Sequence, residues 1–500
     1  MKLSQLLQGV PVVEAVAADP EISGIRYDSR RLEPGDCFVA VSGSHTDGHR
    51  YVETALRDGA VAALVERRVG TAWPQVVVPD TRRALALVSA AFYHHPSRDL
   101  ALIGVTGTDG KTTTTSMIHA ILQAAGWGAA AMSTVDLRVE AQVLPNDSRQ
   151  TTLEAPEIQA FLARARDARL RAAVLETSSH GLALHRVDAC DYDLAVYTNI
   201  THEHLDFHGT FEAYREAKAS LIDLTAAGAP KGIAKTAVLN RDDPSYAMLA
   251  QRPISRRLTY GLELPADVFG RRLASTVSGL ELEASTPLGA LSLKLPLFGR
   301  WNAHNALAAA SAAIALDIPL PAIAGGLEAF TGVPGRMERV DAGQPFTVVI
   351  DYAHTPQSLE KVLRELRPLT SGRLISVFGS AGERDREKRR WMGEIAARLG
   401  DGAVFTNEDP REEDPSAIIQ EIAAGAAAVG WQRGQQYECV VDRREAIARA
   451  IGMAGDGDTV LLAGKGHERS IIVGRVKQPW DEREAALAAI GSRADRPPPG

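Results

Sequence analysis

Apolar residues follow two rhythms along this chain. Short continuous runs of strand length appear at Leu100–Val105, Ala172–Leu175 and Leu194–Tyr197, as expected of strands buried on both faces. Between them, near 112–125 and 156–169, apolar positions recur at helical spacing. This alternation predicts a mostly parallel sheet with helices on both faces. The first 95 residues repeat the theme on a smaller scale. Ile22–Tyr27, Cys37–Val41, Val61–Glu66 and Val76–Val78 read as strands, Tyr51–Asp58 as a helix, and Glu33-Pro34-Gly35-Asp36 as a turn. A third set of buried runs, Thr347–Ile350, Leu374–Phe378, Ala403–Phe405 and Val460–Leu462, lies beyond residue 331.

The pattern predicts three α/β domains: a small one over 1–95, a central one over 96–330 and a Rossmann-like one over 331–490. The end, 491–500, contains Arg-Pro-Pro-Pro-Gly and is expected to be disordered. At 500 residues, 45% apolar and 23% charged, the chain can bury several cores. A net charge of −7 without a basic run argues against nucleic acid as a partner. Cys37, Cys190 and Cys439 are far apart and form no metal-ligand spacing, which fits a reducing cytoplasm. The start lacks the pattern of a signal peptide, and no apolar run reaches the roughly 18 residues of a membrane span.

Chemistry enters at Thr106–Thr115. A strand runs into Gly107-Thr108-Asp109-Gly110-Lys111-Thr112-Thr113, and a helix follows. A glycine turn opening a helix points backbone N–H groups at phosphate oxygens. Lys111 suits the β/γ-phosphates of a nucleotide and the Thr112 hydroxyl suits Mg²⁺. The first glycine of a standard P-loop would fall at 105, which is Val105. In parallel sheets ligands gather at the carboxyl ends of strands. Two polar clusters occupy such ends: Glu176-Thr-Ser-Ser-His-Gly181, and Thr198–Asp206 with His202 and His204. Glu176 is a metal candidate, whereas the histidines suit either ligands or loop positions. Lys218, on a predicted helix Phe211–Leu224, reads from its surroundings as a solvated surface lysine, and the loop Ser42–His49 as plain surface. In the third domain, strands end in Asp351–Pro356, Gly379–Asp385, Thr406–Arg411 and Ala463–Glu468, four charged or glycine-rich loops predicted to share one rim.

Taken together, GTDGKTT at 107–113, ETSSHGL at 176–182, TNITHEHLDFHG at 198–209 and DYAHTP at 351–356 resemble the Mur ligases of peptidoglycan synthesis. DSRRLEPGDCFVAVSG at 28–43 and GKGHE at 464–468 resemble, within that family, the UDP-N-acetylmuramoyl-tripeptide synthetases. Folylpolyglutamate synthetases share the central chemistry but are not expected to carry those two segments. The resemblance implies an ATP-dependent amide ligase acting through an acyl phosphate, cytoplasmic and monomeric, with the first domain binding the UDP-sugar and the third the amino acid. It implies Lys111 on the phosphates, one Mg²⁺ held by Thr112 and Glu176, and a second held by His204 with a Lys218 carrying a CO₂-derived carbamate. Asn302 or Asn305 match the adenine region, Asp351 the ribose region and Arg336 the γ-phosphate contact. For UDP-MurNAc-L-Ala-D-Glu it implies Tyr27, Ser29, Ser44, His45, Thr46, Thr151, Thr152, Ser178 and Arg186. Gln150 and Leu184 depart from the family's usual Asn and Gln. For the added amino acid it implies Arg384, Glu408, Asp409, Pro410, Arg411, Gly464 and Glu468. Meso-diaminopimelate enzymes typically show Asp-Asn-Pro-Arg where this chain has Glu408-Asp409-Pro410-Arg411. Meso-diaminopimelate is the expected amino acid, with L-lysine or L-ornithine as alternatives. A folate ligase and a catalytically dead relative are further alternatives.

Overall fold

The computed structural model describes residues 1–43, 46–70, 74–146, 148, 150–276 and 279–494. Among them the strands form sheets of four, eleven, six and two strands. The chain divides into two compact units. One comprises Met1–Leu273, Leu282–Leu293 and Ala303–Phe330, and the other comprises Ala274–Glu281, Lys294–Asn302 and Thr331–Gly500.

In the first unit, the strands Gly24–Arg26, Asp36–Val39, Ala62–Val65 and Gln75–Val77 pair in parallel, in chain order. Their buried residues face the helices Thr81–Phe92 and Val52–Arg57 through two cores, one around Leu64, Val76 and Leu85, the other around Phe38, Val52 and Ala63. The eleven-stranded sheet has the P-loop strand, Ala101–Thr106, between Leu194–Tyr197 and Ala172–Glu176, all parallel. These strands are buried along their whole length, which explains their unbroken apolar spelling. Asp193, fully buried, fixes the start of this centre. It accepts from Leu102 N at 2.8 Å and takes Lys231 at 2.6 Å and Lys235 at 3.0 Å.

The edges of that sheet were not foreseen. A hairpin, Asp136–Val139 with Gln142–Pro145, continues one edge antiparallel, and Val268–Thr276, Gly279–Thr286 and Gly289–Leu295 form the other. In Gly289–Leu295, Leu291, Leu293 and Leu295 are buried while their neighbours are exposed, the period-two pattern of a one-sided strand.

In the second unit, a six-stranded sheet places Thr347–Asp351, Thr459–Ala463, Leu374–Phe378 and Gly402–Phe405 side by side and parallel. Their carboxyl ends therefore lie on one edge, as the sequence predicts. A β-hairpin, Ser470–Val473 with Val476–Pro479, and the helix Glu482–Ala494 follow. The helix extends through the first residues of the stretch expected to be disordered; 495–500 lie outside the described residues.

That helix is anchored by a buried ion pair. Arg443, 0% exposed, donates from Nε to Glu482 Oε2 at 2.9 Å and from Nη2 to Oε1 at 2.6 Å, while Glu482 is 1% exposed. Removing one partner strands the other charge in the interior. Glu482→Ala is therefore expected to destabilise the second unit by roughly 3–5 kcal/mol. A urea titration of the variant followed by Trp480 fluorescence checks this, and an unshifted midpoint would refute it.

Candidate functional site

The P-loop is built as the sequence predicts and is braced by a neighbouring loop. Helix Lys111–Ala124 opens with Gly110 in the left-handed region (φ 82), and a side chain there would strike Asn305 Oδ1. Gly107 (φ 150) faces Thr198 Oγ1 closely enough that any Cβ would collide with it. The loop after Leu194–Tyr197 holds the turn from outside. Thr108 N donates to Asn199 O at 2.7 Å, Asp109 N to Asn199 Oδ1 at 2.9 Å, and Thr198 Oγ1 to Asp109 O at 2.6 Å. Asn305 Oδ1 accepts from Thr114 Oγ1 at 3.3 Å, at the first turns of the same helix.

Two lysines converge on one carbonyl. Lys111 Nζ donates to Gly107 O at 3.0 Å and to Thr108 O at 2.8 Å, and Lys218 Nζ donates to Gly107 O at 2.6 Å. Lys218 is 1% exposed, so its reading as a solvated surface residue is wrong. A lysine on a helix, taken alone, reads as solvated, but its side chain on Phe211–Ala227 reaches the P-loop carbonyl of Gly107. Burial, reinforced by the nearby Lys111 charge, holds its amine well below the usual lysine range.

Glu176, 1% exposed at the end of its strand, is gripped from two sides. Thr112 Oγ1 donates to it at 3.0 Å, Thr134 N at 2.8 Å and Thr134 Oγ1 at 3.0 Å. Sequence reasoning missed Thr134. It stands two residues beyond the strand Ala129–Met132, so the strand-end rule applied once more would have found it.

His204 takes a left-handed backbone (φ 54), and its ring lies 4.7 Å from that of His180, edge to face. Burial lowers its pKa, with Lys111 and Lys218 adding to the effect and Glu203 opposing it, so a nitrogen lone pair is available. Burial pushes His180 down to about 4, with His204 and His208 contributing. His202 instead stacks on Phe211 at 4.0 Å.

The residues matched to the nucleotide-sugar fall into two groups. Thr152, Ser178 and Arg186 form one network beside Glu176. Thr152 Oγ1 donates to Glu176 O and accepts from Ser178 N, both at 2.9 Å, while Arg186 donates to Thr152 O at 2.8 Å and pairs with Glu154 at 2.6 Å. Thr151 joins through Thr134 Oγ1 at 3.2 Å. In the first sheet, Tyr27 already donates its hydroxyl to Glu157 at 3.0 Å, and Ser29 opens a short turn capped by Asp28. Thr46 Oγ1 lies 3.2 Å from Tyr51 Oη; Ser44 and His45 lie outside the described residues. The loop is not plain surface throughout: His49 is buried, 2.6 Å from Asp47 and accepting from Glu66 N at 2.9 Å.

In the second unit, Asp351 accepts from Met337 N and Ala353 N, both at 2.8 Å. Arg336 lies over the Tyr352 ring at 4.7 Å with its Nε buried and without a partner, and Asn302 Nδ2 donates to Phe298 O at 2.6 Å. The amino-acid candidates meet at the rim. Lys465, 0% exposed, joins Asp409 at 2.9 Å to Glu468 at 2.6 Å, tying two adjacent loops together. Glu408 is buried beside Gly464, and its Oε2 has no hydrogen-bond partner among the described residues. Arg411 is half-buried with φ 53. Its Nε lacks a partner among the described residues, and Glu383 stands 3.8 Å from its Nη1. Arg384 is exposed and is not brought into this cluster. Lys465 sits inside the GKGHE motif but was passed over for its neighbours.

An anion-cradling turn, an inward threonine–glutamate pair and an oxygen-rich rim define an ATP-dependent ligase. Comparison with known proteins agrees. Residues 21–93 match the Mur ligase family catalytic domain, 105–313 the Mur ligase middle domain and 335–466 the Mur ligase glutamate ligase domain. The chain is 50% identical to a UDP-N-acetylmuramyl-tripeptide synthetase of Roseiflexus sp. (strain RS-1), over 94% of this chain and 95% of that one. It is 41% identical to a UDP-N-acetylmuramoyl-L-alanyl-D-glutamate–2,6-diaminopimelate ligase of Bacillus licheniformis, over 98% and 99% of the two chains. A solved structure of a ligase with that same description superposes with a TM-score of 0.68 at 32% identity, covering 95% of this chain and 96% of the other. The chain belongs to the Mur ligase family.

Proposed function

We propose that this ligase adds meso-diaminopimelate to UDP-MurNAc-L-Ala-D-Glu at the expense of ATP, as a cytoplasmic monomer. The domain over 1–95 takes the UDP-sugar, 96–330 takes ATP and 331–490 takes the amino acid. The D-Glu side-chain carboxylate attacks the γ-phosphorus, ADP leaves and an acyl phosphate forms. The amine of the incoming amino acid then attacks the acyl carbon, loses a proton and expels phosphate. Phosphoryl transfer asks the protein for positioning and positive charge rather than covalent help. The P-loop amides and Lys111 supply that charge, within a frame held by Thr198 and Asn199.

Mg²⁺ fits the residues present. The Thr112 hydroxyl and the Glu176 carboxylate are hard oxygen donors at 3.0 Å, and such sites commonly use one or two carboxylates beside phosphate and water. Thr112 and Glu176 would hold one ion, His204 and carboxylated Lys218 a second, and the ions would supply positive charge against the phosphates. The low pKa of Lys218 supports carboxylation, since only the free amine attacks CO₂. In the second unit Arg336, Asp351 and Asn302 are assigned to the nucleotide, as is Asn305 beside the P-loop.

Arg411 carries the choice of amino acid. Its guanidinium is half-buried, its Nε has no partner among the described residues, and its nearest acid is 3.8 Å away. Diaminopimelate differs from lysine by a distal carboxylate, whose burial is costly unless a cation meets it. Lysine or ornithine would bring an ammonium there instead. The relatives' descriptions likewise favour diaminopimelate over those alternatives and over a folate ligase. Arg411→Ala is expected to raise KM for diaminopimelate about 100-fold and to move lysine little. Steady-state kcat/KM for the two amino acids measures this, and a wild type that prefers lysine would overturn the assignment.

A further inference from the structure

Arg411 stands on a backbone conformation that a non-glycine residue seldom adopts (φ 53). Something must hold it there, and both backbone hydrogen bonds of Arg411 are made with a single element, while Gly382 N holds the neighbouring Asp409 O at 2.9 Å. Arg411 N donates to Ile472 O at 3.0 Å, and Gly474 N donates to Arg411 O at 2.7 Å. Arg411 pairs in parallel with Val473 as an isolated bridge. Ile472 N donates to Asp409 Oδ1 at 2.9 Å, so both backbone groups of Ile472 face the Asp409–Arg411 segment. The other side of Ser470–Val473 pairs with Val476–Pro479 across a two-residue turn, Gly474–Arg475, with glycine at φ 59. Arg475 adds an exposed pair with Glu412 at 2.8 Å. The loop that carries Arg411 is thus bridged to the outer edge of the hairpin.

We propose that the hairpin Ser470–Pro479 is a specificity-determining element: by clamping the Arg411 backbone it aims the guanidinium at the distal carboxylate of the amino acid. This rests on the assignment of Arg411 given under Proposed function. The hydrogen bonds and ion pair described above join the hairpin to Asp409, Arg411 and Glu412, all on the loop assigned to the amino acid, so its effect should fall on one substrate. Ile472→Pro removes the hairpin's donor to Asp409, leaves the Lys465 donor and the opposite strand pairing in place, and is tolerable because the lost N–H faces away from the ladder. Gly474→Ala adds a Cβ that meets nothing within 4 Å but opposes the φ of 59 that the turn requires, so it loosens the same clamp without removing a donor.

The experiment measures kcat and the KM of each substrate for wild type, Ile472→Pro, Gly474→Ala, Arg411→Ala and the Ile472→Pro/Arg411→Ala double variant, all as full chains. Ile472→Pro is expected to raise KM for diaminopimelate about 10-fold or more, as a misplaced contact does. KM for ATP and for UDP-MurNAc-L-Ala-D-Glu should stay within about twofold, a change too small to count as a lost contact. Gly474→Ala should move in the same direction by less, and remains the test if Ile472→Pro does not fold. In the Arg411→Ala background, Ile472→Pro should add nothing further, since the group it aims has gone. A clamp variant with wild-type KM for diaminopimelate, beside a damaged Arg411→Ala enzyme, overturns the inference. Equal losses for all three substrates, or full additivity in the double variant, also overturn it by marking a merely structural role. An unaffected Arg411→Ala enzyme would instead bring down the Arg411 assignment, and the clamp with it.

Discussion

Lys218→Ala is expected to lose activity by about 100-fold or more while keeping its fold, and to recover part of it when a short carboxylate such as acetate or formate is added. The reasoning starts from an awkward arrangement. Two lysine nitrogens point at the same carbonyl, Gly107 O, and one of them is almost wholly buried. No acid pairs with Lys218 within ion-pairing distance among the described residues. Converting its amine to a carbamate places an anion beside the Lys111 cation, which adds attraction and supplies an oxygen donor. Lys218→Arg should remain inactive, because guanidinium neither reacts with CO₂ nor binds a cation, whereas Lys218→Ala leaves space for a diffusible carboxylate. Mass spectrometry under bicarbonate and phosphate-release assays check the two halves. Full activity in the arginine variant would show that the charge at this position is irrelevant.

The second large effect belongs to Lys111. Its ammonium is held by Gly107 O and Thr108 O, on the inner side of the turn. It packs no core, so Lys111→Ala should fold normally. Losing one preorganised charge on the transferring phosphoryl group is expected to cost roughly 100- to 1,000-fold in kcat. Nucleotide affinity should fall less, since the backbone amides at the start of the helix Lys111–Ala124 remain. A folded Lys111→Ala enzyme that releases phosphate at near wild-type rates would remove the P-loop from the reaction.

Much of this could be read before the structure because buried parallel strands spell themselves as unbroken apolar runs. Leu194–Tyr197 and Leu374–Phe378 match the observed strands residue for residue, and Leu100–Val105 is displaced by one. The strand-end rule then located Glu176, the Thr198–His204 loop and the rim of the second unit. Half-buried elements were less legible. Gly289–Leu295 alternates in burial, and Gln142–Pro145 is exposed throughout although it carries the apolar Val143 and Leu144. Lys218 failed for a different reason. A lysine's sequence neighbours cannot reveal that a distant loop covers it, and only the tertiary contact with Gly107 decides the matter. Thr134 and Lys465 were missed because each acts through another side chain, Glu176 in one case and the Asp409–Glu468 pair in the other.

The Lys465 tie has an evolutionary consequence. One buried ammonium satisfies carboxylates from two separate loops, so neither acid can drift alone. Neutralising Asp409 removes half of the compensation for a cation with no route to water, and replacing Lys465 leaves two acids facing each other. Substitutions among 409, 465 and 468 should therefore be accepted in concert, as a covarying trio, while the sheet beneath stays indifferent to them. A lineage exchanging one diamino acid for another would cross that barrier through paired changes at the rim, and the apolar strands that carry the loops would keep no trace of the switch.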